Sequence, residues 1–180
     1  MFCTARRARA DPDAELVSAE PYKKMTETDQ QAAFDAEVRR YVYEHVMTEG
    51  AVPPSAACAA ALSCSTDEVG AAFRRLADAR VLVLQEGGGE ILMAAPFSAV
   101  PTPFVVRSGA RSYYAPCAWD ALGVPVVLGR DAEVEASCGC CGTRMSLRVE
   151  GGALVEGEPP GGVVHFALPA ARWWENVVFT

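Results

Sequence analysis

A chain of 180 residues with 51% apolar content has enough hydrophobic material for one compact domain or two small ones, and is not an extended disordered polymer. A formal net charge of -7 argues against a general nucleic-acid binder, which needs a dense Lys/Arg surface. Seven cysteines, odd in number and unevenly spaced, suit reduced thiols better than a disulfide framework, and adjacent Cys140 and Cys141 would strain a mutual bond.

Residues 1–25 mix Arg, Asp, Glu, Ala and Pro without periodicity and read as a disordered leader. The early arginines run into an acidic stretch at 11–20 without an apolar segment between, which is not a signal peptide. No apolar run is long enough to span a bilayer, so the expected location is the cytoplasm. Phe34, Val38, Tyr41, Val42 and His45 recur at three- and four-residue intervals and predict an amphipathic helix over 28–47. Gly50 closes it, and Pro53-Pro54 opens a short Ala-rich helix over 54–62 that carries Cys58. Ser65 and Glu68 form a capping box for a third helix, which buries Val69, Phe73 and Leu76 and ends near residue 79. Residues 81–84 and 91–93, separated by Gly87-Gly88-Gly89, predict a hairpin. Three helices and a hairpin over 26–95 make a winged-helix-like module. Arg74, Arg75 and Arg80 are the basic residues near its third helix, thin support for a DNA-reading regulator.

Prolines at 96, 101 and 103 exclude a regular helix and predict an extended crossing over 95–103. A mixed domain over 96–180 follows. It has strands over 104–106 and 112–114, a short helix over 117–122, and strand or turn over 124–128. Alternating strands over 132–136 and 145–149 flank a tight connection at 138–142. Turns over 151–162, a strand over 163–168 and a helix opening at Pro169 complete it. The fold class is α+β.

Cys117 and Asp120 carry the chemistry. A cysteine at the start of a helix meets free amide donors and the helix dipole, which favour a thiolate. A carboxylate three residues on disfavours one, so the pair makes best sense sharing a proton or meeting a cation, and a soft metal centre selects sulfur. On residues alone, a buried cysteine beside a capping aspartate is an equal reading. Cys138-Gly-Cys140-Cys141 is a second thiol source. A turn can converge Cys138 and Cys141, but no second Cys pair or spaced His pair completes a four-ligand zinc site, and His45 and His165 are isolated.

Four stretches sharpen this reading. They are Phe97-Ser-Ala-Val-Pro-Thr-Pro-Phe104, Tyr114-Ala-Pro-Cys-Ala-Trp-Asp-Ala-Leu-Gly123, Val134-Glu-Ala-Ser-Cys138 with Ser146-Leu147, and Trp173-Trp174-Glu-Asn-Val-Val-Phe-Thr180. Together they resemble the alkylmercury lyase (organomercurial lyase) family. The resemblance implies an enzyme in which Cys117 captures organic mercury and Asp120 ligates it and protonates the departing carbon. It requires no cofactor. It leaves Hg2+ as product for external thiols, a thiol carrier or a mercuric reductase, in a monomer or homodimer. It also implies a structural, buried role for Cys138 and gives Cys140 and Cys141 no counterpart. The family uses a second cysteine, expected just beyond the terminal Trp-Trp run, whereas no cysteine follows Cys141 here. The expectation is therefore a truncated or divergent lyase, or one in which another thiol substitutes. Trp119 and Tyr113 are candidates either for enclosing an organic substituent or for ordinary core packing. The alternative function is a non-catalytic mercury- or copper-binding or sensing protein, its metal set drawn from Cys117, Asp120, Cys138, Cys140 and Cys141.

Overall fold

The computed structural model describes residues 26–166 and 168–175. The predicted leader and the stretch 176–180 lie outside the described residues. Three helices come first: α1 (Glu27–Glu49), α2 (Ser55–Leu62) and α3 (Thr66–Asp78). Reciprocal capping boxes start α1 at Thr26/Asp29 and α3 at Ser65/Glu68, each answering two orphan amides of the first turn. Val38, Val42, Phe73 and Leu76 bury together with Leu82 and Ile91 in one core. Arg75 on α3 grips Asp35 on α1 with two hydrogen bonds of 2.8 and 2.6 Å.

The predicted hairpin is present, with β1 (Val83–Leu84) antiparallel to β2 (Ile91–Ala94). The extended proline segment adds a third strand that sequence reading did not assign, β3 (Phe97–Ser98), paired to β2 through Met93↔Ser98 and Ala94↔Phe97. A second antiparallel sheet follows. It comprises β4 (Phe104–Ser108), β5 (Arg111–Ala115), β6 (Ala132–Ser137), β7 (Arg144–Glu150) and β8 (Ala153–Glu158), in the order β5-β4-β6-β7-β8. Helix α4 (Ala118–Leu128) connects β5 to β6 and packs on β4, β5 and β6.

The second core joins Val106, Tyr113, Ala115, Ala121, Val124, Ala132 and Val134 with Phe97 and with Val46 of α1. Tyr113 donates its hydroxyl to the Met47 carbonyl at 3.1 Å, so the end of α1 is fastened to β5. Gly50 ends α1 at φ +84, and a β-carbon there would stand 3.1 Å from the Ser112 carbonyl oxygen. Only glycine meets both demands without strain.

Four expectations need correction. Residues 124–128, read as strand or turn, are helix, because α4 continues through Pro125 to a left-handed Gly129 cap. Proline removes one helical hydrogen bond, but Ala121, Val124 and Pro125 are buried, and that packing outweighs the loss. The turns expected within 151–162 are present at Gly151-Gly152 and at 160–161, but the segment between them is β8, which pairs with β7 and which sequence reading did not assign. Residues 163–166 and 168, read as strand, form none: β8 ends before Pro159 and Gly161, and Val163 stands 89% exposed. The terminal helix is a 3-10 turn (Ala170–Glu175). No described helix is long and apolar enough to cross a membrane.

Strand register sets the sites. Phe104 pairs with Ala115 on one side of β4, and Val105 pairs with Glu135 on the other. The C-terminal ends of β5 and β6 therefore lie at the same end of the sheet, one leading to Cys117 and the other to Cys138.

Candidate active site

Cys117 is not the first residue of α4 but its N-cap, with extended backbone at φ -148 and ψ 176. This corrects the helix predicted over 117–122 and gives the sulfur a capping task. Cys117 Sγ accepts the Asp120 backbone N–H at 3.5 Å and donates to Asp120 Oδ2 at 3.1 Å. The three-residue spacing is thus what brings sulfur and carboxylate together: the residue at the third helical position returns toward the cap.

Burial pushes the Cys117 thiol up to about 11, and the Asp120 carboxylate beside it adds to the rise; the amides of Asp120 and Trp119 pull the other way and lose. The helix-start amides therefore do not outweigh burial and the carboxylate, and the thiol keeps its proton. Burial also raises Asp120, against the opposing hydrogen bond from Cys117. Burial shifts both groups toward holding a proton, and the 3.1 Å contact lets the one proton on Cys117 serve the pair.

The pair opens into a cavity of about 230 Å³. Trp119, Phe166, Trp173 and Trp174 supply its aromatic wall, and Met93 and Arg80 come from the first module. Trp119 meets Phe166 edge-on at 5.8 Å, Phe166 stacks on Trp173 at 5.1 Å, and Trp173 Nε1 donates to the Leu168 carbonyl at 2.9 Å. Arg80 sits 5.8 Å over the Trp174 ring, a cation on an aromatic face. Of the two aromatic candidates, Trp119 lines the cavity, whereas Tyr113 is 1% exposed and belongs to the core. Sequence reasoning assigned no cavity role to Arg80, Met93 or Phe166. No local signal marks them, because they meet Cys117 only through tertiary folding.

The CGCC turn is a separate site. Gly142 N–H donates to the Cys138 carbonyl and Cys138 N–H to the Thr143 carbonyl, each at 2.8 Å, closing the loop tightly. The sulfurs of Cys138, Cys140 and Cys141 all lie within 4.8 Å of one another, and Cys138 and Cys140 are 3.6 Å apart. Convergence of Cys138 and Cys141 follows the expected turn, and Cys140 joins them. The expected burial of Cys138 does not hold: it is half-buried, because the turn projects beyond the sheet. Amides of Cys140 and Cys141 facing its sulfur bring the Cys138 thiol down to about 7. The five residues considered for one metal set divide into this trio and the Cys117–Asp120 pair, which shares no ligand group with it among the described residues. His45 instead contacts the Tyr41 hydroxyl at 3.4 Å, and His165 is exposed.

The family model described as alkylmercury lyase spans both thiol sites. Residues 97–180 match the alkylmercury lyase family. The alkylmercury lyase of Bacillus cereus is 34% identical over 70 residues, covering 39% of this chain and 32% of that protein. The alkylmercury lyase of Streptomyces lividans is 37% identical over 71 residues, covering 39% and 33%. The chain thus aligns with about a third of the length of these relatives. A crystal structure of the mercury-bound form of MerB2 superimposes with a TM-score of 0.56 at 21% identity, over 70% of this chain and 60% of that one. The α+β fold is accordingly similar to that of the MerB2 structure.

Proposed function

We propose that the chain carries an organomercurial lyase site, in which Cys117 and Asp120 cleave a carbon–mercury bond by protonolysis. The observation that carries this reading is the Cys117 Sγ–Asp120 Oδ2 contact of 3.1 Å at the wall of an aromatic cavity. Similarity of residues 97–180 to alkylmercury lyases supports it.

The high thiol pKa is compatible with this chemistry because the proton is itself a reagent. An organomercurial thiolate, R–Hg–SR′, meets Cys117. As the Cys117 sulfur–mercury bond forms, the thiol proton moves to Asp120. The acid then delivers that proton to carbon, and the electron pair of the breaking carbon–mercury bond becomes the new C–H bond. Hydrocarbon R–H leaves, and Hg2+ stays between Cys117 and the R′S sulfur with no change of oxidation state. Mercury's affinity for sulfur polarises the bond, and an acid positioned beside the carbon acts only as charge develops there. Trp119, Phe166 and Trp173 accommodate the organic group and exclude water from the acid. The ion passes to an external thiol, a thiol carrier or a reductase; a cytoplasmic setting with excess thiol fits that fate.

The test is hydrocarbon release from phenylmercuric or methylmercuric salts in excess thiol, followed by gas chromatography. Release above the thiol-only blank, lost in Cys117→Ser, is expected. Equal release from protein and blank would reject the reading.

A further inference from the structure

The trio at the end of β6 is not used by the chemistry above, and its geometry is that of a ligand set. Three metal–sulfur bonds of roughly 2.3 Å in one plane place the sulfurs roughly 4 Å apart. Three sulfurs within 4.8 Å of one another meet that requirement without refolding the turn. The 2.8 Å closing bonds from Gly142 and Cys138 hold the backbone while the side chains adjust. No fourth Cys, His, Asp or Glu joins the group among the described residues, which disfavours tetrahedral zinc and favours a soft ion content with three thiolates.

Position adds a role. The turn and Cys117 follow strand ends at the same end of the sheet, with β4 between β5 and β6. Two strand spacings separate them laterally by roughly 10 Å. Cys140 and Cys141 are exposed, so this site faces solvent thiols, whereas Cys117 is half-buried.

We propose that Cys138, Cys140 and Cys141 form a three-thiolate Hg2+ site that receives the ion from Cys117. The source of the ion rests on the lyase reading; the site itself does not. Transfer is ligand exchange without redox change. Hg2+ held by Cys117 and R′S forms three bonds to the trio's sulfurs as both original mercury–sulfur bonds break. The protons balance: two of the trio's thiol protons go to Cys117 and R′S, and a proton still held by the third sulfur is released to solvent.

The experiment uses the full chain with Cys117→Ser, mercuric chloride and millimolar glutathione as competitor. X-ray absorption is expected to show three mercury–sulfur bonds in the bound ion. Iodoacetamide mapping by mass spectrometry is expected to show all three turn cysteines protected together. Adding Cys138→Ser, Cys140→Ser and Cys141→Ser should abolish the glutathione-resistant uptake while circular dichroism stays unchanged. Two or fewer sulfurs per ion, separate alkylation of the three cysteines, or undiminished uptake in the triple-serine background would overturn the site. Hydrocarbon release plays no part in these readouts, so failure of the lyase reading leaves them interpretable. Transfer is tested in the otherwise native chain after phenylmercury turnover: the product ion should protect the trio, and product found only on Cys117 would overturn the relay.

Discussion

Alkylation rate separates the two thiol environments. The perturbation is pH, and the contrast is Cys117, held up to about 11, against Cys138, held down to about 7. At about pH 7.5, roughly three-quarters of Cys138 is thiolate against about 0.03% of Cys117, a ratio of about 2,400. A more basic thiolate is the stronger nucleophile, which returns a factor of roughly 40–100 to Cys117 over this pKa gap. Cys138 should therefore react with iodoacetamide roughly 20–60 times faster. The sign with pH follows from the same proton. Raising pH to about 9.5 should accelerate Cys117 about 100-fold, because its thiolate fraction is still climbing, while Cys138 gains less than about twofold. Pulse alkylation of the reduced, metal-free protein with peptide mapping measures both rates. Cys117 reacting as fast as Cys138 at neutral pH, or reaching its plateau before pH 9, would refute the argument that burial and Asp120 keep the proton on Cys117.

Asp120→Asn should keep mercury capture by Cys117 but slow hydrocarbon release by roughly 10²–10⁴, the range lost with a positioned acid, as measured in single turnover with phenylmercury. Equal loss of capture and release would assign Asp120 to binding alone. Asp35→Ala removes two hydrogen bonds to Arg75 across α1 and α3, a pair only partly screened by solvent, and should lower unfolding free energy by about 1–2 kcal/mol in a urea titration. An unchanged midpoint would show that the pair is too solvated to matter. Gly50→Ala forces a side chain into a left-handed backbone and against the Ser112 carbonyl, at a cost of about 1–2 kcal/mol; unchanged thermal stability would contradict the close approach of α1 to β5.

Local patterns made much of the fold legible. The spacing of Val38 and Val42, the Ser65–Glu68 capping box and the alternation through β6 each encode an element within a few residues. They failed where a partner element decides the outcome. Pro125 reads as a helix breaker until Ala121 and Val124 are seen buried against the second sheet. Ala153–Glu158 reads as turn until β7 offers its edge, and the apolar stretch from Val163 reads as strand although no described strand pairs with it.

The sequence by itself determined the Cys117–Asp120 pairing, because a cap and the third residue of its helix meet whatever the rest of the chain does. It also determined that the CGCC thiols share a turn. Tertiary structure decided the chemistry of those groups. Packing against the sheet desolvates Cys117 and Asp120 and keeps their proton, while the projecting turn sets the half-buried Cys138 sulfur beside amide donors. The Cys117–Asp120 motif is thus a proton-holding pair. The register of β4 with β5 and β6 brings it to the same end of the sheet as the three-sulfur turn, a relation set by strand pairing and invisible to spacing along the chain.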